Sequence, residues 1–418
     1  MKKIFLSNRI ILKIMLFNII LLSTVFISCN KGDHFELPGI TSASRFSSDV
    51  IDKWITMQIR LMKDATGIPN VAFCRYYAYT GVTAYEALAP GTPLGNAINR
   101  KLNGLTGLPV ADNHKVYYWP ASVNAALASV NRSIFINASD ADKASVDSLE
   151  NALNAAYSLE ASADIITRSI AFGSAVATAV FNWSSTDGIA DASDAYTPPV
   201  GPGLWEPTPP AFGKASTPYF GNLRSIIIGS TDNTQPGPPI VYSEDPKSEF
   251  YQMVLNDYTV SQNLTADQSA DALFWRDIPG VTTGGHWESI LQQVLKQTNS
   301  HLDKAAVAYA VTGICNNDPS ISCWQTKYHY NLVRPITYIR NVMGYSTWNS
   351  LLTTPAHPEY SSAHAVLSAA TSDAFTALFG NIGSFTDHTY DYLGYAPRTF
   401  TSFRAIGEDA GNSRLYAG

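Results

Sequence analysis

A proline- and glycine-rich run separates two long regions of this chain, both with a helical pattern. The run spans Thr197–Pro210 (TPPVGPGLWEPTPP) and cannot be helical, because proline lacks an amide hydrogen and its ring clashes with the preceding turn. Elsewhere apolar residues recur every three to four positions, as Val50, Trp54 and Leu61 do, which is typical of amphipathic helices. We therefore predict an all-α helical bundle, with the segment 195–245 packed by its aromatic residues as a long surface loop.

Helix signals place boundaries along the rest of the chain. Pro69 separates two helices between residues 46 and 90, further helices are expected over 119–136 and 139–185, and helices resume near Ser248. The 418 residues suffice for a large core. We predict this organisation: a lipoprotein signal peptide (1–28), a tether (29–45), an N-terminal helical region (46–194), the proline- and glycine-rich irregular segment (195–245) and an oxyanion-binding helical region (246–418).

The first thirty residues are typical of an export signal. Four basic residues precede an apolar run, Ile14–Ile27, that ends at Ser28 and Cys29. A small residue directly before Cys29 resembles a bacterial lipobox, in which the cysteine is lipidated; an ordinary secretory signal is the alternative. We expect an exported bacterial protein, periplasmic or anchored in the outer membrane through its N-terminal lipid only, with no later stretch that spans a bilayer.

Charge and cysteine content exclude some classes of function. Beyond the signal, 24 basic residues stand against 34 acidic ones, a net charge of −10 that argues against nucleic acid as a partner. The cysteines after Cys29 show no spacing that indicates zinc. Cys315 and Cys323 flank a short polar segment that we expect to be a loop, and both a disulfide and two reduced thiols remain open.

One segment offers two cations at helical spacing. Lys327 and Arg334 are seven residues apart, so on a single helix ended by Pro335 they would project from one face. The residues between them are an amphipathic mixture, which predicts partial burial, and buried cations need an anionic partner. A solvated basic face is the alternative.

Two further segments complete a possible cage. Ser362 and His364 precede an apolar helical pattern, so Ser362 is expected at a helix N-terminus, where free N–H groups and the helix dipole bind anions. A simple N-cap beside a surface histidine is the alternative. Arg414, in a segment of small residues, would be a surface arginine if taken alone. Together the three segments predict a site for phosphate or vanadate.

The combined pattern resembles the vanadium-dependent haloperoxidase and type 2 phosphatidic-acid phosphatase superfamily, and within it secreted bacterial haloperoxidase-like proteins. The first part of the superfamily motif, Lys, six residues, Arg-Pro, matches in full from Lys327 to Pro335. The second, Pro-Ser-Gly-His, matches at Ser362 and His364, with Ser361 and Ala363 in place of Pro and Gly. The large helical N-terminal half favours the peroxidases over the small membrane-bound phosphatases.

The third part of the motif is incomplete in this sequence. It reads Ser-Arg, five residues, His; it begins at Ser413-Arg414, and its His would fall two positions beyond Gly418. The resemblance makes that His the vanadium ligand, or the nucleophile of a phosphatase. We interpret the chain as truncated there, with a natural degenerate member as the alternative. Without that His we expect weak or no vanadate retention and no turnover.

Roles for individual residues follow from the resemblance alone. It implies vanadate as cofactor, with phosphate able to occupy the same site, and His364 as the acid–base group beside Lys327, which would polarise bound peroxide. His357 lies five residues before the motif serine, where bromide-oxidising members carry His, and an ordinary surface histidine is the alternative. The implied cofactor-binding residues are Lys327, Arg334, Ser362, Ala363, Arg414 and Trp324.

Other stretches resemble secreted haloperoxidase-like proteins as well, including Ala78–Ala87, Gly201–Pro210 and the pair Phe274-Trp275 with Gly285-His286-Trp287. For His286 the simpler interpretation is a histidine that caps a helix start. The resemblance implies an exported haloperoxidase that oxidises bromide or iodide with hydrogen peroxide to hypohalous acid, which halogenates a small organic acceptor. An acid phosphatase using the same site and a non-catalytic ligand-binding lipoprotein are the alternatives, and the oligomeric state stays open.

Overall fold

The structure, a computed structural model, describes residues 42–95, 98–278 and 281–418. The signal peptide and Cys29 lie outside these residues. Within them the chain is built of α-helices with one short antiparallel sheet, and the all-α prediction is confirmed. The elements in chain order are α1 (Asp49–Asp64), α2 (Asn70–Glu86), α3 (Trp119–Ile134), α4 (Asp140–Tyr157), α5 (Ala163–Ser184), α6 (Glu249–Gln262), α7 (Ala266–Phe274), α8 (Thr283–Gln297), α9 (Leu302–Tyr330), α10 (Pro335–Asn341), α11 (Ala363–Phe379), β1 (Phe385–Asp387), β2 (Arg398–Phe400) and α12 (Phe403–Ala417).

The central contact of the bundle is between α2 and α9. Gly81 of α2 lies against the backbone of Tyr309, and Gly313 of α9 lies against the backbone of Ala78. A Cβ added at either glycine would meet backbone atoms at 2.6 Å, closer than atoms can pack. The two helices therefore approach backbone to backbone, and this close contact sets where the C-terminal end of α9 lies.

Helix α9 corrects one expectation, because it runs without a break through residues 316–322, which we expected to form a loop. Their polar side chains are buried because they bind other parts of the chain. Asp318 accepts hydrogen bonds from the backbone N–H groups of Ile226 and Ile227, at 2.8 and 3.0 Å. The polar pattern thus reflects tertiary partners in the irregular segment rather than exposure to solvent.

The same helix decides the state of two cysteines. Cys315 and Cys323 are free thiols. They lie eight residues apart on one continuous helix, a rise of about 12 Å, which is beyond the reach of a disulfide. Burial raises the pKa of Cys315 to about 12, so this thiol is not ionised at neutral pH.

The proline- and glycine-rich segment packs against the end of α9 and the site that follows it. Trp205 is buried, and its backbone N–H donates to the carbonyl of Asn331 at 2.7 Å. Further along, the N–H of Ser216 donates to the carbonyl of Ala356 at 2.7 Å. These bonds bring the segment next to the loop that carries His357.

The region 139–185, predicted to be helical, consists of the two helices α4 and α5. By length and composition alone, helix α5 is long and apolar enough to cross a membrane. This corrects the expectation that no stretch after the N-terminal signal would be apolar enough to span a bilayer. It packs closely on α3 in the bundle, because a Cβ added at Gly173 would lie 1.9 Å from the carbonyl oxygen of Ser122. Phe172, Val176 and Val180 are buried in the core, which accounts for its apolar composition.

A buried acid at the end of α2 gives a test of this packing. Glu86 is 4% exposed, and burial raises its pKa to about 7 from 4.5. The folded state binds the Glu86 proton more tightly than the unfolded chain does. The free energy of unfolding therefore falls by about 3 kcal/mol in total as the pH rises from 4.5 through 7. We expect Glu86→Gln to exceed the wild type in unfolding free energy by up to that amount at about pH 8, and to equal it near pH 4.5. Urea unfolding of both proteins at the two pH values measures the difference; a gap independent of pH would contradict it.

Candidate active site

A cavity of about 760 Å³ collects side chains from all three predicted segments. Its wall is formed by the start of α2, the end of α9, the start of α10, the loop 352–359, the start of α11 and the end of α12. Every site residue predicted within the described part of the chain lines it: Trp324, Lys327, Arg334, His357, Ser362, Ala363, His364 and Arg414. The roles of these residues remain predictions.

Lys327 and Arg334 reach the cavity by a route that differs from the expected one. We predicted a single helix ending at Pro335, but α9 ends at Tyr330, and Asn331 follows in the left-handed region with φ 48°. Pro335 instead begins α10, because its fixed φ suits the first helical position and no N–H is needed there. Arg334 is the N-cap of that helix, so a turn rather than a shared helix face directs its side chain.

Lys327 is buried, with 2% exposure, and its ammonium is held by the loop 352–359. Nζ donates to the carbonyls of Pro358 and Glu359 at 3.0 and 2.9 Å. Burial lowers the pKa of Lys327 to about 8, so the charged form still dominates at neutral pH. Two of the three ammonium hydrogens are used, which leaves one for a bound anion.

Arg334 is bound by two residues of the same loop. Its Nε donates to the His357 carbonyl at 2.7 Å, and another nitrogen donates to His357 Nδ1 at 2.8 Å. The third nitrogen pairs with the Glu359 carboxylate. Burial and the charges of Lys327 and Arg334 lower the pKa of His357 well below its usual value, so the ring is neutral and accepts at Nδ1. Two of the five guanidinium hydrogens remain unused.

Trp324 forms the wall beside His357. Its ring lies 5.2 Å from the His357 ring and it is 6% exposed. Its indole N–H is buried and has no hydrogen-bond partner among the described residues. A buried donor without a partner costs stability. Trp324 is one of the residues that line the cavity.

Helix α11 begins at the cavity, as its sequence predicts. Ser362 is its N-cap, and its Oγ accepts from the N–H of Ala365 at 3.4 Å. The Ser362 hydroxyl hydrogen stays available, and the N–H of Ala363 is among the first of the helix, which have no partner inside it. Both groups can donate to an anion, and the helix dipole favours negative charge there.

His364 and Arg414 are held by one carbonyl group. His364 Nε2 lies 2.7 Å from the carbonyl oxygen of Trp275, and a nitrogen of Arg414 lies 3.4 Å from the same oxygen. A carbonyl only accepts, so Nε2 carries the proton and Nδ1 carries the lone pair. Burial, with the charge of Arg414, lowers the pKa of His364 to about 4, even though Asp277 lies 3.8 Å away. His364 is therefore neutral at physiological pH.

Trp275 itself is fixed from two sides. Its indole nitrogen donates to Asp409 at 2.8 Å, and Arg398 donates to the other oxygen of that carboxylate at 2.9 Å. Its ring stacks on His286, with centroids 4.2 Å apart. We expected His286 to cap a helix start, and this prediction is wrong. Its Nε2 instead lies 2.6 Å from Asp387, and both residues are fully buried. The contacts of Trp275 position the carbonyl that holds His364.

We expect Trp275→Phe to lower turnover about tenfold or more, because the lost indole bond lets the carbonyl that orients His364 shift. Trp287→Phe is the matched control: its indole is equally buried and donates to Ser368 at 2.9 Å, but the carbonyl that holds His364 and Arg414 belongs to Trp275. Both variants should lose about 1 to 3 kcal/mol of stability. Thermal unfolding and kcat, measured together, separate the two effects, and equal loss of kcat in both would show a general structural role.

Sequence reasoning missed three parts of this site. Glu359 lies within a motif segment but was given no role, although its position two residues after His357 was a usable signal. Asp277 and the Trp275 carbonyl follow α7, where no periodic pattern indicates chemistry. Backbone acceptors of this kind carry no sequence signal at all.

Comparisons with known proteins agree with this geometry. The VCPO second helical-bundle domain matches residues 307–418, which contain all three segments. No curated protein matches the chain. Among solved structures, one described as the first bacterial vanadium-dependent iodoperoxidase is 30% identical, with a TM-score of 0.79, over 89% of this chain and 90% of that one. The chain belongs to the vanadium-dependent haloperoxidase superfamily.

Two further structures of this superfamily share the fold. The apo form of a bacterial vanadium-dependent chloroperoxidase is 17% identical, with a TM-score of 0.63, over 85% of this chain and 90% of that one. The holo form is 17% identical, with a TM-score of 0.64, over 86% and 90%. The resemblance inferred from the motif is thus confirmed, and the chain is a haloperoxidase-like enzyme by family.

Proposed function

We propose that this haloperoxidase-family chain is an exported, vanadate-dependent enzyme that oxidises bromide or iodide with hydrogen peroxide to hypohalous acid. That product would halogenate small organic acceptors. The observation that carries the proposal is the convergence of Lys327, Arg334 and Arg414 with His364 in one cavity, in a chain 30% identical to an iodoperoxidase.

The residues of the cavity fit vanadate. Three cations, the Ser362 hydroxyl and the free N–H at the start of α11 keep hydrogens that a ligand can accept, which suits an oxyanion rather than a metal cation. The unpartnered indole N–H of Trp324 adds one more donor. When bound, vanadate would supply the Lewis acidity that activates hydrogen peroxide towards halide.

His364 would move the proton. Its Nε2–H is committed to the Trp275 carbonyl, so Nδ1 is the atom that can accept a proton from peroxide and return one to a leaving oxygen. Burial and the positive charge of Arg414 disfavour the charged ring and lower the pKa of His364 to about 4. A bound oxyanion would offset that charge and raise the pKa towards the working pH.

Lys327 and His357 would act on the two substrates. The remaining ammonium hydrogen of Lys327 is available to polarise bound peroxide, and burial shields this ammonium from solvent. His357 is neutral and lies between Arg334 and Trp324 at the cavity wall, where it would contact the incoming halide. Its identity as histidine favours bromide or iodide.

Export rests on the N-terminal pattern that ends at Cys29. We propose a periplasmic or outer-membrane-anchored lipoprotein. Metabolic labelling with a fatty acid in a bacterial host should mark the wild type but not Cys29→Ala; equal labelling of both would contradict lipidation at this residue.

A paired assay tests the reaction. Because the last motif residue would lie two positions after Gly418, the protein should be expressed from its gene through that position, with a second version carrying Ala there. We expect iodide or bromide oxidation that requires both vanadate and peroxide, is inhibited by phosphate, and is lost in the Ala version. The same preparations should be offered a phosphomonoester.

The outcomes separate the alternatives. Phosphomonoester turnover without halide oxidation would show an acid phosphatase using the same oxyanion site. Absence of both activities, with vanadate binding unaffected by Arg334→Ala, would leave a non-catalytic ligand-binding lipoprotein.

A further inference from the structure

A carboxylate lies among the cations of the oxyanion cage. Glu359 lines the cavity, its side chain is 38% exposed, and Oε2 contacts a guanidinium nitrogen of Arg334. Burial would raise the pKa of Glu359, but the charges of Arg334, Lys327 and Arg414 outweigh it and lower that pKa. The group is therefore ionised at every pH at which the enzyme would work.

An ionised carboxylate repels the anions that the cations of this cage attract. Like charges placed side by side repel each other, so this acid weakens binding of any anion by charge alone. Oε2 is taken by Arg334, and no hydrogen bond reaches Oε1 from the described residues. The cage thus contains one strong acceptor that no protein donor satisfies.

We propose that Glu359 makes the cage selective for oxyanions that carry a proton. A carboxylate only accepts hydrogen bonds, so a tetrahedral anion beside it must donate one or suffer repulsion. Inorganic phosphate and vanadate keep protons at neutral pH and can donate an O–H to Oε1. Sulfate has the same shape and size but carries no proton at that pH, so it would place a lone pair against the carboxylate.

This inference rests on the proposed oxyanion site and explains a property that the cations alone cannot supply. Lys327, Arg334 and Arg414 would bind sulfate and phosphate with little distinction, because both are tetrahedral anions. A group that must receive a hydrogen bond from the ligand discriminates against a ligand that cannot donate one. A site that must retain a scarce oxyanion in the presence of abundant sulfate needs such a group.

Calorimetric titration with inorganic phosphate and with sulfate at neutral pH tests the proposal directly. We expect the wild type to bind phosphate about 100-fold more tightly than sulfate. In Glu359→Gln the amide can donate to sulfate, so sulfate affinity should rise and the preference should fall below about tenfold. Glu359→Asp, which keeps the negative charge, should retain part of the preference.

The matched control is Glu206→Gln, an exposed acid that does not line the cavity, and it should leave both affinities unchanged. Thermal unfolding checks that each variant is folded. Equal affinities in the wild type, an unchanged preference in Glu359→Gln, or binding of neither anion would each overturn the proposal.

The titrations contain neither peroxide nor halide, so they do not depend on the reaction. Failure of the haloperoxidase proposal would appear as absent halide oxidation with the phosphate preference intact. Failure of the selectivity proposal would leave halide oxidation unaffected while sulfate competed as well as phosphate.

Discussion

Replacing Arg334 by alanine is expected to weaken vanadate and phosphate binding by at least about 100-fold. The change removes one cation from the cage and leaves the Glu359 carboxylate without the partner that now neutralises it. Removing a buried cation that hydrogen-bonds a bound anion typically costs about 2 to 5 kcal/mol, and each 1.4 kcal/mol is a tenfold change in affinity. Calorimetric titration with vanadate measures the loss.

Arg132→Ala is the control for this variant. Arg132 also forms ion pairs, with Asp147 and Glu150, but on the exposed surface of α3 and α4, away from the cavity. We expect it to bind vanadate as the wild type does. Unchanged affinity in Arg334→Ala would mean that the anion binds elsewhere, and the proposed site would be wrong.

Replacing His364 by glutamine is expected to lower kcat by about 100- to 10,000-fold while vanadate affinity changes only a few-fold. The glutamine amide can still donate to the Trp275 carbonyl, so the local geometry is kept. It has no nitrogen that accepts a proton, so acid–base catalysis is lost. Halide oxidation and vanadate titration on the same sample separate these two effects.

His388→Gln is the matched control, because His388 is exposed and its ring pairs with Asp391 at 2.8 Å, away from the cavity. Its turnover should equal that of the wild type. If His364→Gln kept its turnover to within tenfold, proton transfer would have to be assigned to another group, with Asp277 the nearest candidate.

The sequence predicted the helical class and the membership of the site because both depend on local pattern. Apolar spacing defines a helix face, and the cap at Ser362 is a signal within four residues of α11. The motif spacing at Lys327 and Arg334 brings two cations together whether the chain between them is helix or turn. For this reason the site prediction survived an error in the helix boundary.

Other features could not be predicted, because they depend on residues far apart in the chain. Asn, Asp and Pro at 316–322 have loop propensity, yet Asp318 is buried by its bonds to Ile226 and Ile227, about ninety residues away. The position of His364 depends on a backbone carbonyl, which every residue possesses. Tertiary partners override local propensity in both cases.

The measurement that tests the central claim most directly is a crystal structure of the protein with vanadate, located by the anomalous scattering of vanadium. The account predicts one vanadium peak in the cavity, with oxygens within hydrogen-bonding distance of Arg334 and Arg414 and of the N-terminus of α11. A peak elsewhere, or a cavity that holds only water at saturating vanadate, would contradict it.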